Sequence, residues 1–560
     1  MQLGMKKHII VRSIIVLGIL LGIVRLALLF GSRPDAKVPG QYETLDQAAA
    51  LYPDYTDVTI PPNIAPLNFL VSDSSATAYV ARFAGEAGHE ILVGADAGGL
   101  IQLDTLQWRE MLQASKGADI TVSIFAKKPG GWVMYKPHVL SVAREDIDPF
   151  LSYRLIEPGY ELYRQLGIYQ RDLTSFVERP IYENNREYAD GENHCINCHN
   201  YRNYSAENMV FHVRSNHGGT IVVHGDKASK VQIKDSTIIT AGVYPAWYPD
   251  EGQRLLAFST NKTGQTFHVY HPEKIEVMDE ASDLLLYDAE KNEVCHILRT
   301  KGILETFPNW SPDGKWLYYT QADISRNVDL TGPDSTLAQR LVFDYDNVRY
   351  DLMRMPFDIS SRTFGQPETV VDATSNGKSI TLPRVSPDGR YVLYTLGNYG
   401  QFHIWHKSSD LWVKDLERDS CYALRAANSS DVDSYHSWSS NGRWIVFSSR
   451  RMDGNYTRPF IAYFDENGQS RKAFCLPQED PEHNLLLLKS YNVPELTRDR
   501  VQVSEHELRR CIYETDGENA RYLPGRQVPV RDSADGVSGA SPRRPATADA
   551  TSGASPKQPK

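Results

Sequence analysis

Only six cysteines are spread over 560 residues, yet two of them stand three apart with a histidine directly after the second: Cys195-Ile196-Asn197-Cys198-His199, within ENHCINCHNY. This C-x-x-C-H spacing is the attachment pattern of c-type haem. Two thiols must reach two vinyl groups on the porphyrin edge while one imidazole meets iron at the centre. On a single helical turn, positions i, i+3 and i+4 share a face, so the spacing predicts a short helix carrying Cys195, Cys198 and His199. The thiols would hold the porphyrin covalently and His199 would be the proximal iron ligand. With 6 Cys and 16 His in the chain, roughly 0.002 such pentapeptides are expected by coincidence, which makes chance a poor explanation. Zinc on His194, Cys195, Cys198 and His199 is a rival. It is disfavoured because adjacent residues cannot easily occupy neighbouring tetrahedral corners and no second C-x-x-C completes a site. A thioredoxin-type redox pair lacks its βαβ context.

A sixth iron ligand has three candidates downstream. His212 leads, in MVFHV. His217 follows, before Gly218-Gly219, which lets backbone approach a flat cofactor. Met209 comes last, its alternation with Phe211 and Val213 favouring a core role. Two histidine ligands would tend to give a lower potential than a His/Met pair. Arg202 and Arg214 are candidate partners for the haem propionates. Cys295, Cys421, Cys475 and Cys511 are scattered; an oxidising compartment permits disulfides among them, but spacing does not assign pairs.

What must position this motif is read from the rest of the chain. Lys6, Lys7 and Arg12 precede an apolar run, Ser13–Phe30, interrupted only by Arg25. Positive charge before the run keeps the N-terminus cytoplasmic and sends the remainder outward. Eighteen residues just reach across hydrocarbon, and Arg25 near the outer end can snorkel. A retained inner-membrane anchor over residues 1–30 is favoured over a cleaved signal peptide, which would leave a soluble periplasmic protein. The net charge is −10, without a basic block, so nucleic acid is not an expected partner. Residues 31–59 read as a linker. Residues 60–142 read as a small β-rich domain: Ile120, Val122 and Ile124 alternate with polar residues, GWVMYKPHVLSV is a strand interrupted by Pro137, and a short helix is expected around Leu106–Leu112. Residues 143–220, rich in tyrosine and arginine, read as an irregular or helical insert that holds the motif.

From residue 221 a repeat takes over. AWYPDEGQRLLAF begins at Ala246, NWSPDGKWLYYT at Asn309, RVSPDGRYVLYT at Arg384 and SWSSNGRWIVFSS at Ser437. Each pairs a bulky residue with a turn and a short apolar run; Asp-Gly and Asn-Gly supply the positive φ of a tight hairpin. A second element recurs between the turns, as SDLLLYD and SDLWVKD, with looser versions in YDLMRMPFD and FIAYFD. Two strand signatures in fixed order suit a four-stranded propeller blade. The repeats are longer than tryptophan–aspartate blades, and loops 263–281 and 321–348 are expected to absorb the excess. This region resembles the β-propeller of TolB-like periplasmic proteins, marked by W-S-P-D-G before an apolar strand. The resemblance implies a mainly β fold with five to seven blades, six being preferred, over 221–523. No G-x-S-x-G elbow follows, so the α/β-hydrolase domain that some such propellers precede is not expected. The tail, 524–560, is expected to be disordered.

The combination of IYQRDLTSF, the Cys/His run and the propeller is similar to bacterial envelope proteins with TolB-like repeats and one c-haem motif. Three functions follow as expectations. The first is a membrane-anchored periplasmic monohaem cytochrome that relays electrons to or from a docked envelope partner, needing no catalytic constellation. The second is a propeller scaffold in which haem senses redox state or braces the insert. The third is a haem peroxidase or oxidoreductase with an open distal site, disfavoured because no distal acid/base pair is visible. The chain is therefore read as an electron carrier or binding protein rather than an enzyme.

Overall fold

The Ser-Pro-Asp-Gly stretches fold as one repeated turn. In the copy at Ser311, the serine hydroxyl donates to Asp313 (2.6 Å) and accepts from the Trp316 backbone N–H (2.9 Å), while the Lys315 N–H donates to Asp313 (3.1 Å). Gly314 takes φ +68°, a conformation that costs glycine little. The Ser439 copy is built the same way, with Asn441 in place of the aspartate. Each turn joins two antiparallel strands, and four or five strands make a blade. The computed structural model describes residues 36–524 except 158–164, 185–193, 272, 327, 329, 330, 332 and 333. The apolar run at 13–30 and the tail beyond 524 lie outside the described residues. Among the described ones, no helix is long and apolar enough to cross a membrane.

Six such sheets form a propeller. Blades 3 to 6 start with the inner strands Val243–Trp247, Ile303–Trp310, Ser379–Val385 and Asp433–Trp438, and their hairpins are the four repeats legible in the sequence. The SDLLLYD-type elements are the third strands, as in Ile275–Asp288 and Asp410–Asp415. Blade 2 runs from His194–Arg202 through Ser205–Ser215 and Gly219–His224 to Lys227–Gln232. Blade 1 is split: Phe150–Ile156, Gly167–Asp172 and Glu178–Glu183 come from one part of the chain, and the inner strand Ser490–Thr497 comes from near its end. Inner strands of successive blades pack on one another all the way round, Ser490–Thr497 lying between those of blades 6 and 2. The ring is therefore closed by pairing early strands with a late one. Large aromatics fill the spaces between blades: Trp310 donates from its indole to the Ala246 carbonyl of blade 3, and Trp438 to the Arg384 carbonyl of blade 5. Trp438 is 2% exposed, and truncating a tryptophan so buried costs roughly 3–5 kcal/mol.

Three sequence expectations change. Residues 143–220 are not an irregular or helical insert; from Phe150 they supply the outer strands of blade 1 and most of blade 2. Tyr153, Tyr182, Tyr201, Arg171 and Arg202 are buried in these strands among the apolar residues, which hides the alternation. Loop 263–281 is a projecting hairpin continuous with the strands Leu255–Phe267 and Ile275–Asp288, and 321–348 contains a helix, Asp334–Asp344. The proposed linker 31–59 contains strands: Glu43–Ala48 pairs in parallel with Gly131–Lys136, and Val58–Ile60 with His138–Val142. Those partners lie far along the chain, so no local pattern announces them.

The β-rich unit before the propeller centres on Asp119–Lys128, bordered by Ala78–Ala84 on one edge and by the two strands either side of Pro137 on the other. Helix α1 (Thr105–Ala114) is capped by Asp104, which accepts from the N–H groups of Leu106 and Gln107 at 3.0 Å, and buries Trp108 against Phe83. The unit is tied to blade 6, where Ser440 donates to Asp148 from both backbone and hydroxyl at 2.6 Å.

Candidate functional site

The inner strand of blade 2 carries the Cys/His motif, so the expected helical turn is a β-strand, His194–Arg202. What brings its side chains together is a bulge. Asn197 pairs with His212 and Asn200 with Val210, leaving Cys198 and His199 opposite one residue. Cys198 takes φ +54°. A bulge bends the strand and redirects a side chain, here turning Cys198 toward the same space as Cys195. Without it, positions i and i+3 of a strand point to opposite faces.

The same device recurs in every blade. Tyr244, Phe307, Leu382, Tyr435 and Val493 have φ between 49° and 55°, each at a register break of its own inner strand. The sequence shows the pattern once it is known: CHNY, YPAW, FPNW, LPRV, YHSW and VPEL stand at the six positions. Cys198-His199 therefore occupies the place of Tyr-Pro, Phe-Pro, Leu-Pro, Tyr-His and Val-Pro. Proline fits the second position because a bulge residue has no ladder hydrogen bond to donate. Reading outward from the Pro-Asp-Gly turns alone misses this signal, since it lies just before them.

Cys195, Asn197, Cys198 and His199 all line one cavity of about 600 Å³ at the propeller axis, within the range of cofactor clefts. His199 is 3% exposed, and its Nε2 is buried without a hydrogen-bond partner. Burial, then Arg154, pull its pKa from 6.5 to about 3, against a backbone hydrogen bond to Val493; the imidazole is neutral, as a metal ligand must be. Burial raises the Cys195 thiol, opposed by Arg154 and Arg214. No cysteine is in a disulfide. Tyr244, Phe402, Trp405 and Tyr435 supply flat apolar walls, and Arg154, Arg384 and Arg450 bring positive charge from blades 1, 5 and 6; none of these was singled out in the sequence.

The other sequence candidates stand elsewhere. Arg214 lines the cavity beside Asn197, whose amide oxygen, correctly oriented, accepts from its guanidinium at 3.2 and 3.3 Å. Arg202 does not: it is buried at the far end of the strand with its guanidinium over the Trp247 ring. His212 is buried outside the cavity wall, its Nδ1 bonded to the Thr220 hydroxyl at 3.0 Å and its ring against Phe258. Its Nε2 is unpartnered and burial pulls its pKa to about 3. Met209 is fully buried in the core between blades 1 and 2. His217, at φ +59°, packs on Tyr513. His194, considered for zinc, bonds the Tyr182 hydroxyl at 2.8 Å, and among the described residues no group of three or more His, Cys, Asp or Glu is arranged to hold a metal ion.

The residues present fit a covalent haem in three respects: two thiols and one imidazole share a cavity wall, the imidazole keeps its outer nitrogen free, and the cavity is large and flat-walled. No family model matches the chain, and no curated protein does. Among solved structures it is similar to a protein assigned as TolB from Agrobacterium tumefaciens, at 16% identity and a TM-score of 0.34 over 58% of this chain and 88% of that one. It is also similar to an oligogalacturonate lyase in complex with manganese, at 12% identity and 0.32 over 57% and 72%. A chain of a nidogen/laminin complex matches at 7% and 0.33 over 58% and 93%. None of these likenesses is a basis for assigning an activity, and the propeller rests on the strand order and ring closure.

Proposed function

We propose that this chain is a monohaem c-type cytochrome built on a six-bladed propeller, anchored in the inner membrane by its apolar N-terminal run, with its bulk in the periplasm. Cys195 and Cys198 would hold the porphyrin and His199 would ligate iron; when bound, the group supplies a one-electron couple. The chain's own residues do the rest. The bulge aims both thiols at the cavity, burial keeps the His199 ring neutral, and the aromatic walls exclude water. Electrons would pass to or from an envelope partner docked on the propeller. The observation that carries this reading is the orphaned Nε2 of His199 on the same cavity wall as both thiols.

The test is a denaturing gel stained for haem, with intact mass, on full-length protein made alongside cytochrome c maturation machinery. A stained band, heavier than the bare chain by one haem, is expected. A colourless protein with the mass of the bare chain would remove the reading. A second reading, a propeller scaffold that binds envelope partners without redox chemistry, is favoured by the fact that Cys198-His199 sits where every other blade has a bulge pair at the same backbone position. Partner capture unchanged by His199→Ala and by reduction would select it.

A further inference from the structure

Four arginines reach the axial cavity from four blades, and among the described residues none forms an ion pair. Arg154 spends one nitrogen on the Ile196 carbonyl (3.1 Å) and keeps a buried Nε without a partner. Arg384 makes one long bond to the Pro383 carbonyl (3.3 Å), and burial lowers its pKa. Arg214 meets only the Asn197 amide. Arg450, 3% exposed, is committed to architecture: it donates to the Ile404 and Asn455 carbonyls (2.8 and 2.6 Å) and stacks on Trp405 at 3.3 Å. Among the described residues the only carboxylate on the wall is Glu157. The lysine there, Lys262, is already paired with Glu280 at 2.7 Å. Glu495, whose charge acts on Arg384, is engaged with Asn200 and the Tyr201 N–H, and burial raises its pKa to about 7. Arg154 and Arg384 are half-buried at the cavity with donors to spare and Arg214 stands at its exposed side, and the planar fork of arginine suits carboxylate and phosphate oxygens.

We propose that Arg154, Arg214 and Arg384 form an anion site in the axial cavity, which takes carboxylate or phosphate groups borne on a flat, apolar body lying against the aromatic wall. The site does not depend on thioether formation. Its anion has two sources: the carboxylates of a tetrapyrrole held by the motif, or a free anionic ligand entering the channel. The shared chemistry is the charged fork facing a planar wall.

The experiment uses the full chain made without maturation machinery, titrated with metal-free protoporphyrin IX and with its dimethyl ester, which is neutral. Metal-free porphyrin removes any contribution from His199. The diacid should bind roughly ten-fold or more tightly than the ester. The advantage should vanish in Arg154→Gln/Arg384→Gln and survive in Arg425→Gln, which changes an exposed arginine away from the cavity. If the double variant does not fold, Arg214→Gln alone, an exposed side chain, should remove part of it. Competition by pyrophosphate would identify a free anion as a second source; no competition would confine the site to tetrapyrrole carboxylates. If neither porphyrin binds but pyrophosphate raises the melting temperature only when the arginines are intact, the anion site stands and the haem reading falls. Equal affinity for diacid and ester, or an advantage untouched by the arginine substitutions, overturns the proposal. So does the absence of both porphyrin binding and arginine-dependent stabilisation.

Discussion

Blades 2 and 6 end their inner-strand bulges in the same way, Cys198-His199 in one and Tyr435-His436 in the other, and they differ in what the histidine does. His436 is satisfied by its own architecture: Nε2 bonds the Leu393 carbonyl at 3.1 Å and Nδ1 faces the Thr395 hydroxyl at 3.4 Å. His199 keeps Nε2 empty-handed at nearly the same burial. The backbone is therefore a frame repeated six times, and the two blades differ in whether the histidine at the bulge closes its own hydrogen bonds. A buried unmade bond costs on the order of 1–3 kcal/mol; His199 carries that cost at an atom on the cavity wall, and His212 carries it outside the cavity.

The sharpest way to break the comparison is to remove each ring in turn. His199→Ala should lower the haem-stained yield roughly ten-fold or more while lowering the urea midpoint of the unloaded chain by less than His436→Ala does, since it gives up one hydrogen bond beside an existing cavity. His436→Ala should keep the stain and destabilise the propeller by about 2–3 kcal/mol, through a cavity and two lost hydrogen bonds. The opposite pattern would make His199 the architectural residue.

Acid titration separates the two more finely. Burial holds both rings at about 3 in the folded chain, down from 6.5. Their folded pKa values are depressed, so the stabilisation is complete above pH 6.5 and is lost as pH falls toward 3, the unfolded state binding the extra protons. Each ring should contribute about 1.4 kcal/mol per pH unit within that window. His436→Gln should flatten the pH dependence of the urea midpoint by one proton in both unloaded and loaded protein. His199→Gln should do the same in the unloaded chain.

A smaller effect concerns whether any side chain would supply a second ligand to an iron held by the motif. His212, Met209 and His217 stand outside the cavity wall, and His436 has both nitrogens engaged. The reduced, loaded protein is therefore expected to bind carbon monoxide rapidly, with a shifted Soret band, and His212→Ala should leave that spectrum unchanged. Slow or absent binding, restored by His212→Ala, would return His212 to the role its sequence position suggested.

Legibility followed the same division between blades. The four repeats with a Pro-Asp-Gly-like or Ser-Asn-Gly turn are visible because turn chemistry is local and demands particular residues. Blade 2 turns instead through Asn203 and Tyr204, both at positive φ, a two-residue hairpin without the serine–aspartate signature. Blade 1 has no contiguous signature at all, since Val493-Pro494-Glu495-Leu496 completes strands laid down near residue 150. The motif is readable as residues, but its spacing predicts a helix where the chain forms a strand, because spacing alone does not distinguish a helical turn from a bulged strand. The arginines were invisible for a different reason: they converge from separate blades, and nothing local ties Arg154 to Arg384.

The late arrival of Ser490–Thr497 has an implication for how the molecule is made. Val493 and Asn492 wall the cavity beside His199, so during synthesis the two thiols emerge well before the strand that will cover them. Completing the ring therefore waits for a strand made roughly 290 residues after the motif it flanks, and the wall beside Cys198 and His199 is among the last parts of the cavity to be laid down.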